Sequence, residues 1–242
     1  MSLKLKAVSA TVFFLLAFPV LANGLGKYIG DVVAKWLDDG RTMELQQDFA
    51  FVDPSGTEWI SPKGSKVDGA SIPRVAWTLI GGPFEGKYRN ASVIHDVACQ
   101  QQTRPWQVVH RVFYDAMLAS GVDSTKALTM YAAVLIKGPK WSRTVEIKNV
   151  PYKVAHTQAS VLASNSVLSG EVASTRVIFG PSTTQGSHPS LPPEFANIEV
   201  IFDPQPSSNL TTEQLKSLEQ EISTEHLTVD RIESRYLVNY GQ

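Results

Sequence analysis

Between Tyr88 and Lys137, apolar residues recur at helical spacing in three successive stretches, and this constrains the chain more than any other feature. Tyr88–Gln101 carries Ala91, Ile94, Val97 and Ala98. Trp106–Ser120 carries Val109, Val112, Phe113, Ala116 and Met117. Ser124–Lys137 carries Leu128, Tyr131, Ala132, Leu135 and Ile136. Steps of three and four residues put each set on one face of a helix. Gly121 ends the second stretch, and Gly138-Pro139 stops the third. The connections are short, so the stripes must be buried against each other or against a neighbouring sheet.

A candidate for that sheet precedes the helices. Asp38-Asp39-Gly40 and Asp53-Pro54-Ser55-Gly56 are turn signals, because Asp, Pro and Gly preset turn geometry. Met43 to Val52 lies between them, and Thr57 to Ile60 reads as the return strand of a hairpin. Lys63 to Pro73 is a glycine-punctuated loop, with Ser71 placed to cap a short helix that has Pro73 in its first turn. The expected class is α+β: a short N-terminal hairpin or meander packed on a bundle of about three helices.

Composition changes after about residue 150. Residues 155–195 are rich in Ser, Thr, Ala and Pro, and Pro181 to Pro193 reads as a linker. Asn197 to Phe202 suits a strand. Thr211 and Gln214 are spaced as a capping box, ahead of Leu215, Leu218 and Ile222 on one helix face. The expected division is a core domain over 23–150, a linker-like segment over 151–195, and a small strand-plus-helix extension over 196–242. The extension is a place for a protein partner to bind.

The first 22 residues read as a signal peptide. Lys4 and Lys6 precede the apolar run Ala7 to Val20, and Val20-Leu21-Ala22 offers small residues for cleavage. The run is shorter than the roughly 20 residues a spanning helix needs. The expected location is the periplasm or beyond the cell. Cys99 is the single cysteine, so an internal disulfide and a four-thiolate zinc site are both excluded. The net charge of −1 gives no basis for broad nucleic-acid binding.

His95-Asp96 is the strongest chemical signal. An imidazole exchanges protons near neutral pH, and an adjacent carboxylate can bind a hard cation. His110 lies on the next helix, which a short connection makes antiparallel, so His95 and His110 can face each other. Asp68, before Gly69, reads either as turn chemistry or as a catalytic carboxylate. Cys99 shares a helix face with His95 and reads as a small buried hydrophobe rather than a nucleophile. Gly81-Gly82-Pro83 can turn the chain or present carbonyls to a cation. Arg111 and Asp115 read as a solvated i,i+4 pair. Trp77, Trp106 and Trp141 read as core or cleft-edge residues.

Asp68-Gly69-Ala70-Ser71-Ile72-Pro73-Arg74, Trp77, Gly81, Pro83, His95-Asp96, Arg111-Val112-Phe113 and Ala116-Met117 stand in the order of a known pattern. Over roughly residues 40–141 the chain resembles the phage and bacterial domain-of-unknown-function family numbered 1353. The resemblance implies a small α+β domain. The chain departs from the family pattern, which has Asp where His110 stands and does not require Cys99. A second likeness, in the order of Gly81-Gly82, His95-Asp96 and His110, is to secreted phospholipases of the A-two type. It implies His95 as the base for an attacking water and Asp96 as a calcium ligand. The chain lacks that family's disulfides, and His110 suits zinc better than calcium.

Two functional readings follow. In the first, the protein is an exported hydrolase using His95, Asp96, Asp68 and His110 around an activated water. Asp96 and His95 would then hold a divalent calcium or zinc ion, and the substrate would be a lipid or cell-envelope component. In the second, it is a non-enzymatic envelope or phage-associated module in which these residues are structural. An open cleft joining them favours the first, and closed packing favours the second.

Overall fold

The computed structural model describes residues 24–69, 71–82, 84–151, 171–179, 195–204 and 210–238. The first 22 residues, which read as a signal peptide, and Pro181–Pro193, which read as a linker, lie outside these residues. The N-terminal strands are β1 (Lys27–Ile29), β2 (Ala34–Trp36), β3 (Met43–Leu45), β4 (Phe49–Val52), β5 (Glu58–Ser61) and β6 (Lys66–Val67). They form two antiparallel three-stranded sheets, ordered β1-β4-β5 and β2-β3-β6. The expected hairpin is β4–β5, with Phe51 opposite Trp59 and Ala50 opposite Ile60. Asp53 closes its turn by accepting from the Ser55 and Thr57 amides at 2.9 Å each, and from Trp59 Nε1 at 2.9 Å. Phe49, Phe51 and Trp59 are buried. Tyr28 stacks on Phe49 and donates its hydroxyl to the Ala116 carbonyl at 2.7 Å, which ties the sheet to the helices.

The helices are α1 (Arg74–Ile80), α2 (Arg89–Gln101), α3 (Trp106–Ala119) and α4 (Ser124–Lys137), with a 3-10 turn at Gly86–Tyr88 before α2. Asp123 caps α4 by accepting from the Lys126 amide. Two differences from the sequence reading have clear causes. Pro73, not Ser71, occupies the N-cap of α1, and the Ser71 hydroxyl that would have capped it bonds to Asp96 instead. Burial in α2 and α4 also goes beyond one stripe. Every residue from Ala91 to Cys99, and from Ala127 to Ile136, is buried. These two helices therefore lie within the core, covered on more than one side, which brings polar side chains of α2 inside the protein.

After α4, β7 (Arg143–Pro151), β8 (Glu171–Phe179) and β9 (Phe195–Pro204) form a third antiparallel sheet, ordered β7-β9-β8. β8 lies in the segment whose composition reads as a linker. It pairs with β9 from Glu171 opposite Pro204 to Phe179 opposite Ala196. The C-terminal helices are α5 (Thr212–Glu225), with the expected Thr211–Gln214 capping box, and α6 (Val229–Val238).

These last helices complete the core. Leu215, Leu218, Ile222 and Ile232 are buried and belong to the same apolar cluster as α2, α3 and α4. Glu233 of α6 accepts from Arg111 Nη1 at 2.8 Å and from the Tyr131 hydroxyl at 2.7 Å. The Arg111–Asp115 pair, at 3.5 Å, is thus half-covered by α6 rather than fully solvated. Each of the four buried aliphatic side chains stabilises by about 1.5–3 kcal/mol. Their sum is comparable with the ~5–15 kcal/mol that holds a domain folded. Truncation before Leu210 is therefore expected to abolish cooperative thermal unfolding or lower Tm steeply. A truncated chain with unchanged Tm would show that α5 and α6 are dispensable.

Candidate functional site

The Asp96 carboxylate is 1% exposed and faces the loop Asp68–Ser71. Its Oδ2 accepts from the Asp68 amide at 3.0 Å and the Gly69 amide at 2.6 Å, and its Oδ1 accepts from the Ser71 amide at 3.3 Å. The Ser71 hydroxyl adds a further bond. Gly69 has φ +70°, and this left-handed residue turns successive amides toward one point. Burial raises the pKa of Asp96, while the four donors act in the opposite sense. A buried carboxylate so surrounded is an anchor for the loop.

On the same helix, His95 points into the interior. His95 Nε2 lies 2.9 Å from His110 Nδ1 of α3, and Cys99 Sγ lies 3.5 Å from His95 Nε2. Both histidines are fully buried. His95 stacks on Phe113 at 4.6 Å, and Trp106 meets His110 edge-on at 5.5 Å. Burial pushes the pKa of His95 down to about 3. Burial, followed by the neighbouring His95 and Lys140, holds that of His110 well below its usual range. Burial also pushes the Cys99 thiol up to about 12, so it is no nucleophile.

An open cleft of about 400 Å³ lies on the other side of the loop. Trp36, Trp77 and Phe84 supply aromatic faces, and Arg41, Asp68, Arg74 and Glu85 supply charge. Trp36 is 59% exposed and packs edge-on against Phe84 at 6.3 Å. Arg41 pairs with Asp68 at 3.2 Å. Arg74 sits 5.9 Å from the Trp77 ring. At the rim, the Gly82 amide donates to Glu85 at 3.2 Å, and the Gly82 carbonyl accepts from the Tyr88 hydroxyl. Gly81, at φ +91°, ends α1. This segment is a pinned turn, and the Gly82 carbonyl is already engaged by Tyr88.

The four expected site residues are therefore divided. His95 and His110 meet in the core, beside Cys99. Asp96 faces the loop amides rather than the histidine cluster, and Cys99 completes that cluster of candidate ligands in its place. The Asp68 side chain lines the cleft, and its amide reaches Asp96. Trp77 is a cleft residue; Trp106 and Trp141 are core. Trp36, Arg41, Phe84 and Glu85 belong to no motif, and only folding gathers them.

The DUF1353 family model, described as a protein of unknown function, matches residues 43–134. That span holds the loop, the buried cluster and the Asp68–Glu85 side of the cleft. The chain is similar to two curated proteins of Sinorhizobium fredii (strain NBRC 101917 / NGR234). Against the uncharacterized protein y4jT it is 43% identical over 148 residues, 60% of this chain and 44% of that protein. Against the uncharacterized protein y4iH it is 46% identical over 101 residues, 42% of each. The chain thus spans less than half the length of these relatives. No solved structure gives a significant match.

Two outcomes are expected. Asp96→Asn removes the charge and leaves loop amides short of acceptors, so urea unfolding should show a loss of about 2–4 kcal/mol. A loss below about 0.5 kcal/mol would contradict the anchor role. The histidines set a pH dependence. Their folded pKa values are depressed below the unfolded value of about 6.5. The unfolded chain therefore binds more protons as pH falls through 6.5, and stability falls with it. From about pH 6.5 to pH 5, each ring should cost up to about 2 kcal/mol. With a chelator present throughout, unfolding midpoints across that range should flatten in His110→Gln, and an equal slope in both proteins would refute the assignment.

Proposed function

We propose that this chain is an exported, non-enzymatic binding module of the cell envelope, and that the aromatic cleft is its ligand site. The observation that carries the reading is the closed packing of the His-Asp pair. His95 and His110 have no exposed surface, and the Asp96 carboxylate is engaged by loop donors. A hydrolytic water would need access to that imidazole. The leader-like segment before residue 23 supports export.

The cleft favours a saccharide-bearing ligand. Flat aromatic faces suit the apolar face of a sugar ring, and adjacent carboxylate and guanidinium groups suit its hydroxyls. Trp36, Trp77, Asp68, Arg41 and Arg74 supply both kinds of surface. An envelope glycan is the ligand class, and the loop anchored on Asp96 sets the positions of Asp68 and Arg74.

Titration with soluble peptidoglycan fragments, followed by tryptophan fluorescence, tests the reading. Trp36→Ala should weaken binding by about tenfold, equivalent to ~1.4 kcal/mol. Asp68→Asn should weaken binding with little change in Tm, since its ion pair is partly exposed. Absence of binding would overturn the proposal. Hydrolysis of the fragments, lost in a folded His95→Gln variant, would favour the hydrolase instead.

A further inference from the structure

We propose that His95, Cys99 and His110 form a buried zinc site, with His95 Nε2, His110 Nδ1 and Cys99 Sγ as the ligand atoms. The three atoms lie within 4.8 Å of one another, and all three residues are buried. The sequence places them there by a simple rule. Cys99 follows His95 by one helical turn, so both project from one face of α2. His110 comes from α3, which packs beside that face.

Two of the three ligand separations are close to those around a tetrahedral ion. Zinc–nitrogen distances of about 2.0–2.1 Å and a zinc–sulfur distance of about 2.3 Å require ligand atoms roughly 3.3–3.6 Å apart. The Cys99–His95 separation, 3.5 Å, already satisfies this. The His95–His110 separation, 2.9 Å, must open by a few tenths of an ångström. Imidazole and thiolate are donors that zinc favours over hard cations.

Proton and charge balance agree. Zinc replaces the Cys99 thiol proton, which leaves to solvent, and binds the unprotonated nitrogen facing it on each ring. Both rings then carry their proton on the far nitrogen. The two far atoms, His95 Nδ1 and His110 Nε2, are buried with no hydrogen-bond partner, a cost that the metal–ligand bonds must exceed. The zinc–thiolate unit has a charge of +1, and the carboxylate of Asp96 acts electrostatically on Cys99. The Ser71 hydroxyl bonds to both Asp96 and Cys99, which links the site to the anchored loop. Among the described residues no fourth His, Cys, Asp or Glu joins the cluster, so the protein supplies three ligands. The bound ion would staple α2 to α3 beneath the loop. This role stands apart from ligand binding in the cleft.

The test uses the full chain, stripped of metal under reducing conditions and titrated with cobalt(II) alone. The expected result is one equivalent bound, with a sulfur-to-cobalt charge-transfer band in the near ultraviolet. Zinc should bleach the band stoichiometrically and raise Tm by several degrees. Cys99→Ser, and Cys99→Ala if the serine fails to fold, should lose the band. His226→Ala, at an exposed position, should keep it. Cobalt binding without the band, a band unchanged in the Cys99 variants, or no binding by the folded wild-type protein would each overturn the site. None of these readouts depends on the cleft or on a glycan.

Discussion

The hydrogen bonds from the Asp68–Ser71 loop to the Asp96 carboxylate are the interaction on which the rest of this structure depends. A carboxylate with almost no exposed surface is costly unless donors replace its water. Here the donors are backbone amides of a loop remote in sequence, and the loop is correspondingly held by one side chain. That constraint directs the Asp68 side chain outward, while the Asp68 amide points in. Asp68 and Asp96 therefore form one construction with two faces, one closed and one open.

The buried face is polar in a way that core packing alone does not require. Two histidines and a cysteine converge at the α2–α3 contact, surrounded by Phe113 and Trp106. Burial keeps both rings neutral and the thiol protonated in the metal-free chain. That environment suits the zinc coordination proposed for the cluster better than proton transfer to a substrate. The open face has the complementary character, with aromatic rings interleaved with paired charges around a cavity of useful size. The proposed division is between an interior that positions and a surface that binds.

Much of the fold was legible because it follows local rules. The β4–β5 hairpin followed from Asp53-Pro54-Ser55-Gly56, the three central helices from their spacing, and the start of α5 from its capping box. β8 was missed because Ser, Thr and Ala outnumber large apolar residues nearby, and only pairing with β9 gives it a role. The place of α5 and α6 in the core was missed too. Their few apolar residues suffice only because α3 and α4 complete the cluster. At the site, the meeting of His95 with His110 followed from antiparallel helices. The partner of Asp96 did not, since nothing local to α2 reveals amides from a distant loop. The cleft was least legible, because Trp36 and Arg41 meet Arg74 and Phe84 only through tertiary packing.

The central claim is that Asp96 anchors the loop rather than reacting. Amide hydrogen exchange at Asp68, Gly69 and Ser71 tests it most directly, because those three N–H groups are its donors. These amides should exchange as slowly as the central amides of α2, opening only with global unfolding. Exchange at rates typical of an exposed loop would contradict it, and would return Asp96 to the set of groups free to do chemistry.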